Sequence, residues 1–329
     1  MRSEKRGFVD REIRDAEIRV GVSSCLLGEP VRYDGGHKHD RYLTDVLGSH
    51  FSFVAVCPEV EVGMGTPREP LRLVRDGDAI RMVGVDSGDD HTERMRKYAA
   101  RRVVELETLG LSGYLLKKGS PSCGMERVRA YTARGSAAAS DRGLFAAELM
   151  RRLPLLPVEE EGCLDDATVR ENFIERVFAY KRVADLFSGR WTTGELVAFH
   201  TREKMLVCAH APTAEKELGR IVAGAGRAAR GAVAQSYTSV FMAALGKPAT
   251  TRRNVNVLQH MLGHFRDVLE PAPRRALASI IEDYRNALVP LVVPITLLRH
   301  YVDLHSVGYL AHQTYLEPHP KELMLRNHV

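Results

Sequence analysis

Residues 18–30 read IRVGVSSCLLGEP, an apolar run of strand length that passes straight into a cysteine and then into turn residues, Gly28 and Pro30. The same syntax returns as FSFVAVCPEVEVG over 51–63 and as GYLLKKGSPSCG over 113–124. The runs at 18–23, 51–56 and 113–117 therefore read as buried strands. Between the second and third, residues 90–109 carry Met95, Tyr98, Ala99, Val103 and Leu106 at helical spacing, with Thr92 placed to cap the start and Gly110 to end it. A second helix is predicted over 141–153, and 71–75 with 80–85 read as a hairpin turned by Asp76-Gly77-Asp78-Ala79. Strands alternating with helices predict a Rossmann-like α/β domain with a mostly parallel sheet.

From Pro157 the texture changes. Glu159-Glu160-Glu161-Gly162 and Asp165-Asp166 make an acidic, apolar-poor passage, and no strand alternation follows it. Helical patterns take over at 169–187 and again from Thr192, where Thr192 and Glu195 form a capping-box pattern. Further helices are predicted over 213–225, 231–245, 254–269, 273–288 and 293–305, and the tail TYLEPHPKELMLRNHV reads as an ordered extension on them. The 329 residues thus divide into an α/β domain at 1–165 and an all-α domain at 166–329.

With 44% hydrophobic, 27% charged and 7% aromatic residues, the composition is that of an ordinary soluble globular protein. No apolar run reaches the roughly 18 residues of a membrane span, and MRSEKRGFVDREIRDAEI carries charges where a signal peptide needs an apolar stretch. A cytoplasmic protein with no membrane partner and no obligate protein partner is expected. Five cysteines, at 25, 57, 123, 163 and 208, are too few and too scattered for a disulfide framework. The net charge of +5 is uneven: residues 1–169 hold 26 Lys+Arg against 28 Asp+Glu, whereas 170–329 hold 21 against 14 and nine of the thirteen histidines. An excess of that size in the helical half is compatible with a polyanion partner.

In an open parallel sheet the carboxyl ends of the strands line one crevice, the usual ligand site. Cys25, Cys57 and Cys123 each stand at or just beyond a predicted strand end, so thiols spaced 32 and 66 residues apart can converge there. The paired C-x-x-C elements of a zinc finger and the complete ligand set of a ferredoxin are both missing. Three thiolates without a fourth suit a 4Fe-4S cluster with one open iron, a Lewis acid that favours soft sulfur over hard oxygen. Any one of these residues taken alone also reads as a buried apolar cysteine. Glu59, two residues beyond Cys57, can be a general acid or base in the same crevice, or a cap or ion-pair partner. Ser120 can orient a substrate or water, or simply form its turn. Lys117 and Lys118 can attract an anionic ligand at the rim, or be solvated charges.

The passages VSSCLLGEPVRYDGGHK, VCPEVEVGMGTPREP and LLKKGSPSCG resemble the thiouracil desulfidase family over about residues 18–157. The stretch from FHTREKMLVCAH through KPATTRRNVNVLQHMLGHF and YRNALVPLVVPITLLRHYV to YLEPHPKELMLRNHV resembles the helical domain often fused behind it. The fused arrangement is similar to enzymes that return 4-thiouridine in transfer RNA to uridine, with the helical domain implicated in handling the RNA. The resemblance implies that Cys25, Cys57 and Cys123 ligate a 4Fe-4S cluster having three protein ligands and one open iron, and that Glu59 and Ser120 are catalytic. Glu61-Val62-Gly63 departs from the Gly-Gly-like turn of many relatives, which bears on the shape of that loop. On this reading water activated by Glu59 attacks the thiocarbonyl carbon, Ser120 holds the base or the water, and hydrosulfide leaves without net electron transfer.

An RNA substrate needs phosphate contacts, for which Arg202, Lys204, Arg252 and Arg253 are candidates beside Lys117 and Lys118, with Lys321 and Arg326 in the tail. Each also reads as a solvated or ion-paired residue. Free thiouracil or another thiolated nucleobase is the alternative substrate, and a non-catalytic iron–sulfur sensor the alternative role. His260 and His264 stand four apart, but Met261 occupies the place where a zincin needs Glu, so a structural pair is expected. Cys208 reads as a core residue and Cys163 as an exposed thiol in the linker.

Overall fold

Among the described residues, eight strands and three α-helices build the first part of the chain: β1 (Arg19–Ser23), β2 (Ser52–Val56), α1 (Pro58–Glu61), β3 (Leu71–Asp76), β4 (Ala79–Gly84), α2 (Thr92–Thr108), β5 (Gly113–Leu116), β6 (Val128–Thr132), β7 (Ala137–Asp141), α3 (Leu144–Arg152) and β8 (Val158–Glu160). This is a computed structural model that describes residues 17–77, 79–132 and 137–328, and it divides between Asp165 and Asp166 into two compact units. Residues 1–16 of the charged N-terminal stretch and Asp78 of the expected hairpin turn lie outside the described residues.

The first sheet runs β2-β1-β5-β8 and is parallel throughout. The chain leaves β1 to one side for β2 and returns on the other for β5, so the order reverses at β1. That reversal opens a crevice at the strands' carboxyl ends. Val20, Val22, Leu115 and Leu116 are fully buried between layers, as continuous apolar strands require. Gly21, in the middle of β1, has no room for a side chain: a β-carbon there would overlap the ring of Tyr114. Helix α2 buries the predicted stripe of Met95, Tyr98, Ala99, Val103 and Leu106. Its start differs slightly from expectation, because the Asp90 carboxylate accepts the Thr92 N–H at 2.9 Å while the Thr92 hydroxyl accepts from Met82. Gly110, at φ +65°, turns the chain out of the helix.

A second sheet, ordered β4-β3-β6-β7, contains the expected hairpin, in which Asp76 pairs with Ala79. Strands β6 and β7 were not expected. Nor was β8, which falls inside the acidic passage and supplies the fourth parallel strand.

The second unit is helical among the described residues: α4 (Ala167–Phe187), α5 (Thr193–His210), α6 (Pro212–Gly224), α7 (Arg230–Leu245), α8 (Thr251–Gly263), α9 (Pro271–Arg285), α10 (Val292–His305) and α11 (Gly308–Ala311). The Thr192–Glu195 capping box is formed, each side chain bonding the other's backbone N–H. Phe173, Phe199, Tyr237, Phe241 and Tyr315 are buried at its centre. No helix among the described residues is long and apolar enough to cross a membrane.

Candidate active site

Three adjacent strands deliver three loops to one end of the parallel sheet. Beyond β1 the chain tightens into a short 3-10 turn, Ser24–Leu27, that carries Cys25, and the Cys25 carbonyl accepts the Lys38 N–H at 2.8 Å. Beyond β2, Cys57 is the extended residue that opens α1, followed by Pro58 at the position where a missing N–H does no harm. Beyond β5 come Lys117, Lys118, Ser120 and Cys123. The loop at 121–124 satisfies the first turn of α3, whose otherwise orphaned N–H groups from Leu144, Phe145 and Ala146 donate to the carbonyls of Pro121 and Ser122. Cys25, Cys57, Glu59, Lys117, Lys118, Ser120 and Cys123 line a single cavity of about 280 Å³.

Glu59 is held from both sides. Arg68 Nε donates to its Oε2 at 3.0 Å, and the Ser122 hydroxyl donates to Oε1. Ser120 and Ser122 oxygens lie 3.1 Å apart. Ser120 Oγ also accepts the Cys123 N–H at 3.1 Å, so it forms the turn and faces the cavity at once. Arg68 also donates from Nη1 and Nη2 to the Val31 carbonyl at 3.1 Å, which accepts from the Cys57 thiol as well at 3.8 Å. Neither Arg68 nor Ser122 was singled out in the sequence. Ser122 sits two residues from Ser120 inside a stretch already quoted, whereas nothing local ties Arg68 to Glu59. Glu61, the odd residue of its loop, accepts the Cys57 N–H at 3.2 Å and the Tyr98 hydroxyl at 2.7 Å, tying the loop to α2.

The lysines at the rim are engaged by the acidic passage. Lys117 pairs with Glu161, whose other oxygen accepts the Lys118 N–H at 2.7 Å, while the Lys118 side chain is exposed. Ser23, buried at the end of β1, accepts the Lys117 N–H at 3.0 Å. Cys163 is half-buried rather than exposed, and burial pushes its thiol up to about 11.

Of the other sequence candidates, all in the second unit, Arg252 is exposed and Lys204 pairs with Glu215 at 3.3 Å. Arg202 lies over the Phe199 ring, and Arg253 donates to the His210 carbonyl at 2.8 Å. Lys321 is exposed, but Arg326 is a core residue, bonded to Glu175 at 3.0 Å and to the Tyr315 carbonyl, and so is not a surface cation. His260 and His264 meet edge to face at 5.4 Å, and His264 stacks on Tyr309. Cys208 is half-buried on α5.

Burial pushes the Cys25 thiol up to about 11, with the neighbouring Cys57 adding to the effect. Burial raises Cys57 and Cys123 as well, for Cys123 against a hydrogen bond from Ser23. Such sulfurs give up their protons to a metal rather than to water. No three His, Cys, Asp or Glu side chains among the described residues stand close enough to hold one metal ion. Three buried or half-buried thiols lining one cavity are the soft donor set that an iron–sulfur group would take. The cavity lining includes no fourth cysteine.

Comparison with known proteins follows the same division of the chain. The family model for 2-thiouracil desulfurase matches residues 20–161, and that for a protein of unknown function, DUF1722, matches residues 204–320. The uncharacterized protein YbgA of Escherichia coli (strain K12) is 30% identical over 164 residues, 50% of this chain and 94% of that protein. The uncharacterized protein YbbK of Bacillus subtilis (strain 168) is 34% identical over 110 residues, 31% of this chain and 71% of that protein. Among solved structures, the [4Fe-4S]-dependent thiouracil desulfidase TudS shares 37% identity, covering 45% of this chain and 94% of its own, at a TM-score of 0.38.

Proposed function

The chain belongs to the 2-thiouracil desulfurase family, which it carries ahead of a DUF1722 domain, and on that premise we propose that it hydrolyses the C=S bond of a thiolated uracil, with 4-thiouridine in transfer RNA as its substrate. The observation that supports this reading most is the meeting of Cys25, Cys57 and Cys123 with Glu59 and Ser120 around one cavity. Cys25, Cys57 and Cys123 would hold a 4Fe-4S cluster, which when bound supplies a Lewis-acidic iron with affinity for sulfur. Glu59, fixed by Arg68, takes the proton of the attacking water. Ser120, at the cavity wall, orients that water or the base. Thiocarbonyl and carbonyl carbon have the same oxidation state, so water and the thiolated base give the oxo base, hydrosulfide and a proton with no external electrons.

The unit at 1–165 performs this chemistry in the cytoplasm, and the unit at 166–329, with its surplus of positive charge, selects the RNA through residues such as Arg252 and Arg202. Free thiouracil is the second reading, favoured by the internal engagement of Lys204, Arg253 and Arg326, which withdraws three cations from phosphate contact.

The test is a nucleoside digest of thiolated transfer RNA after incubation with the anaerobically loaded protein. Conversion of 4-thiouridine to uridine with hydrosulfide release is expected, and Cys57→Ala should lose both cluster and conversion. Turnover of free thiouracil alone would move the assignment to the second reading, and turnover of neither would remove it.

A further inference from the structure

Ser122 fills the space between Glu59 and Ser120. It is 1% exposed, and its hydroxyl donates to Glu59 Oε1, an oxygen that as a carboxylate can only accept. With that proton committed, the Ser122 oxygen is left to accept from the Ser120 hydroxyl, 3.1 Å away. Ser120 Oγ for its part accepts the backbone N–H groups of Cys123 at 3.1 Å and Ser122 at 3.3 Å. Both hydroxyls therefore donate in one direction, from the cavity wall inward to Glu59, whose far oxygen is anchored by Arg68. The Ser122 carbonyl is fixed in turn by the N–H groups of Phe145 and Ala146 at the head of α3, at 3.0 and 3.1 Å.

We propose that Ser122 is a positioning residue that orients Glu59 and joins it to Ser120 as a proton link, an inference that rests on the desulfidase reading above. As water attacks, one of its protons passes to Ser120 while the Ser120 proton passes to Ser122 and the Ser122 proton to Glu59. The hydroxide oxygen bonds to the thiocarbonyl carbon, and that carbon's bond to sulfur breaks as the carbonyl forms. The proton held on Glu59 and the one remaining on the added oxygen leave with sulfur as hydrogen sulfide. Nothing is oxidised or reduced.

The experiment compares the full chain with Ser122→Ala and Ser122→Thr, each loaded anaerobically, by iron and sulfide content, visible absorbance, KM and kcat. Ser122→Ala should load like the unaltered protein with little change in KM and lose about 10²-fold in kcat, while Ser122→Thr, which keeps a hydroxyl, recovers most of the rate. A loaded Ser122→Ala with unaltered kcat overturns the link. Should Ser122→Ala fail to load, Ser122→Thr decides: retained rate supports the link, and a loaded threonine variant without activity overturns it. If the unaltered loaded protein desulfurises no thiolated uracil, the functional reading itself falls, an outcome visible before any variant is compared.

Discussion

Glu160 Oε1 accepts the backbone N–H of Met125 at 2.8 Å, two residues beyond Cys123. Its neighbour Glu161 grips the opposite end of the same loop through Lys117 and the Lys118 amide. Strand β8 pairs with β5, the strand that leads into this loop, so the last residue of β8 and the one just after it brace both ends of the segment carrying Ser120 and Cys123 with consecutive carboxylates. The acidic passage is thus a frame for the site.

Replacing Glu160, which is 4% exposed, with alanine removes the acceptor of the Met125 amide. An interior donor left without a partner costs about 1–3 kcal/mol. Glu160→Ala should unfold at a lower temperature and retain less iron and sulfide per chain, with Glu160→Gln, which keeps an amide oxygen, in between. Calorimetry and metal analysis read both, and an alanine variant matching the unaltered protein in each would show the loop to be held elsewhere.

Helix α3 approaches the loop closely because Gly143 has no side chain: a β-carbon there would stand 2.5 Å from the carbonyl carbon and oxygen of Ser122 and 2.9 Å from the Cys123 nitrogen. Its backbone, at φ −62°, suits any residue, so the obstacle is contact alone. Gly143→Ala should therefore act as overpacking does, costing about 1–3 kcal/mol, and displace the Ser122 and Cys123 backbone. Cluster retention should fall further than the melting temperature suggests, since the strain is delivered at Cys123, a proposed ligand. A variant with unchanged cluster content would show that the loop yields without moving the cysteine.

Much of this arrangement was legible in the chain because it is written locally. The apolar runs before Cys25, Cys57 and Cys123 mark strands, and adjacent parallel strands place their exits together, so the fold sets Glu59 and Ser120 on the same cavity as the three thiols. The long helices of the second unit show in their periodicity and in the Thr192–Glu195 capping box. What escaped reading is non-local. Strand β8 is only Val158–Glu160, and Glu160 with the adjoining Glu161 looks like a solvated linker because their partners, Met125 and Lys117, lie tens of residues away. Arg68 is a loop arginine until the fold sets it against Glu59.

Arg68 tests how far that carboxylate depends on its anchor. Its side chain is 7% exposed, and its planar fork serves Glu59 and the Val31 carbonyl together. Arg68→Ala leaves a largely buried carboxylate without its cation, a change that costs about 3–5 kcal/mol when an interior pair is broken. Arg68→Lys restores the charge and not the fork, so it should recover stability more than activity. Thermal unfolding set beside steady-state rates separates the two, and equal recovery of both would assign Arg68 a charge role alone.

In the second unit a buried histidine sets an acid limit on stability. His319 is 8% exposed, its Nδ1 donates to the Pro320 carbonyl at 3.2 Å, and Arg326, Glu175 and Arg182 are the charged groups acting on it. Burial, reinforced by Arg326, pushes it down to about 4 from its ordinary 6.5. The unfolded chain therefore binds this proton more readily than the folded one, and the associated stability, present above 6.5, is lost as pH falls toward 4. Integrated over that window the loss is on the order of 3 kcal/mol. Glu171, raised to about 7 by burial, works in the opposite direction over part of the range, so the comparison must be with a variant rather than with theory. His319→Gln removes the titrating group and should flatten the decline in unfolding midpoint between pH 6.5 and 4 relative to the unaltered chain. An identical decline in both proteins would place the acid sensitivity in other groups.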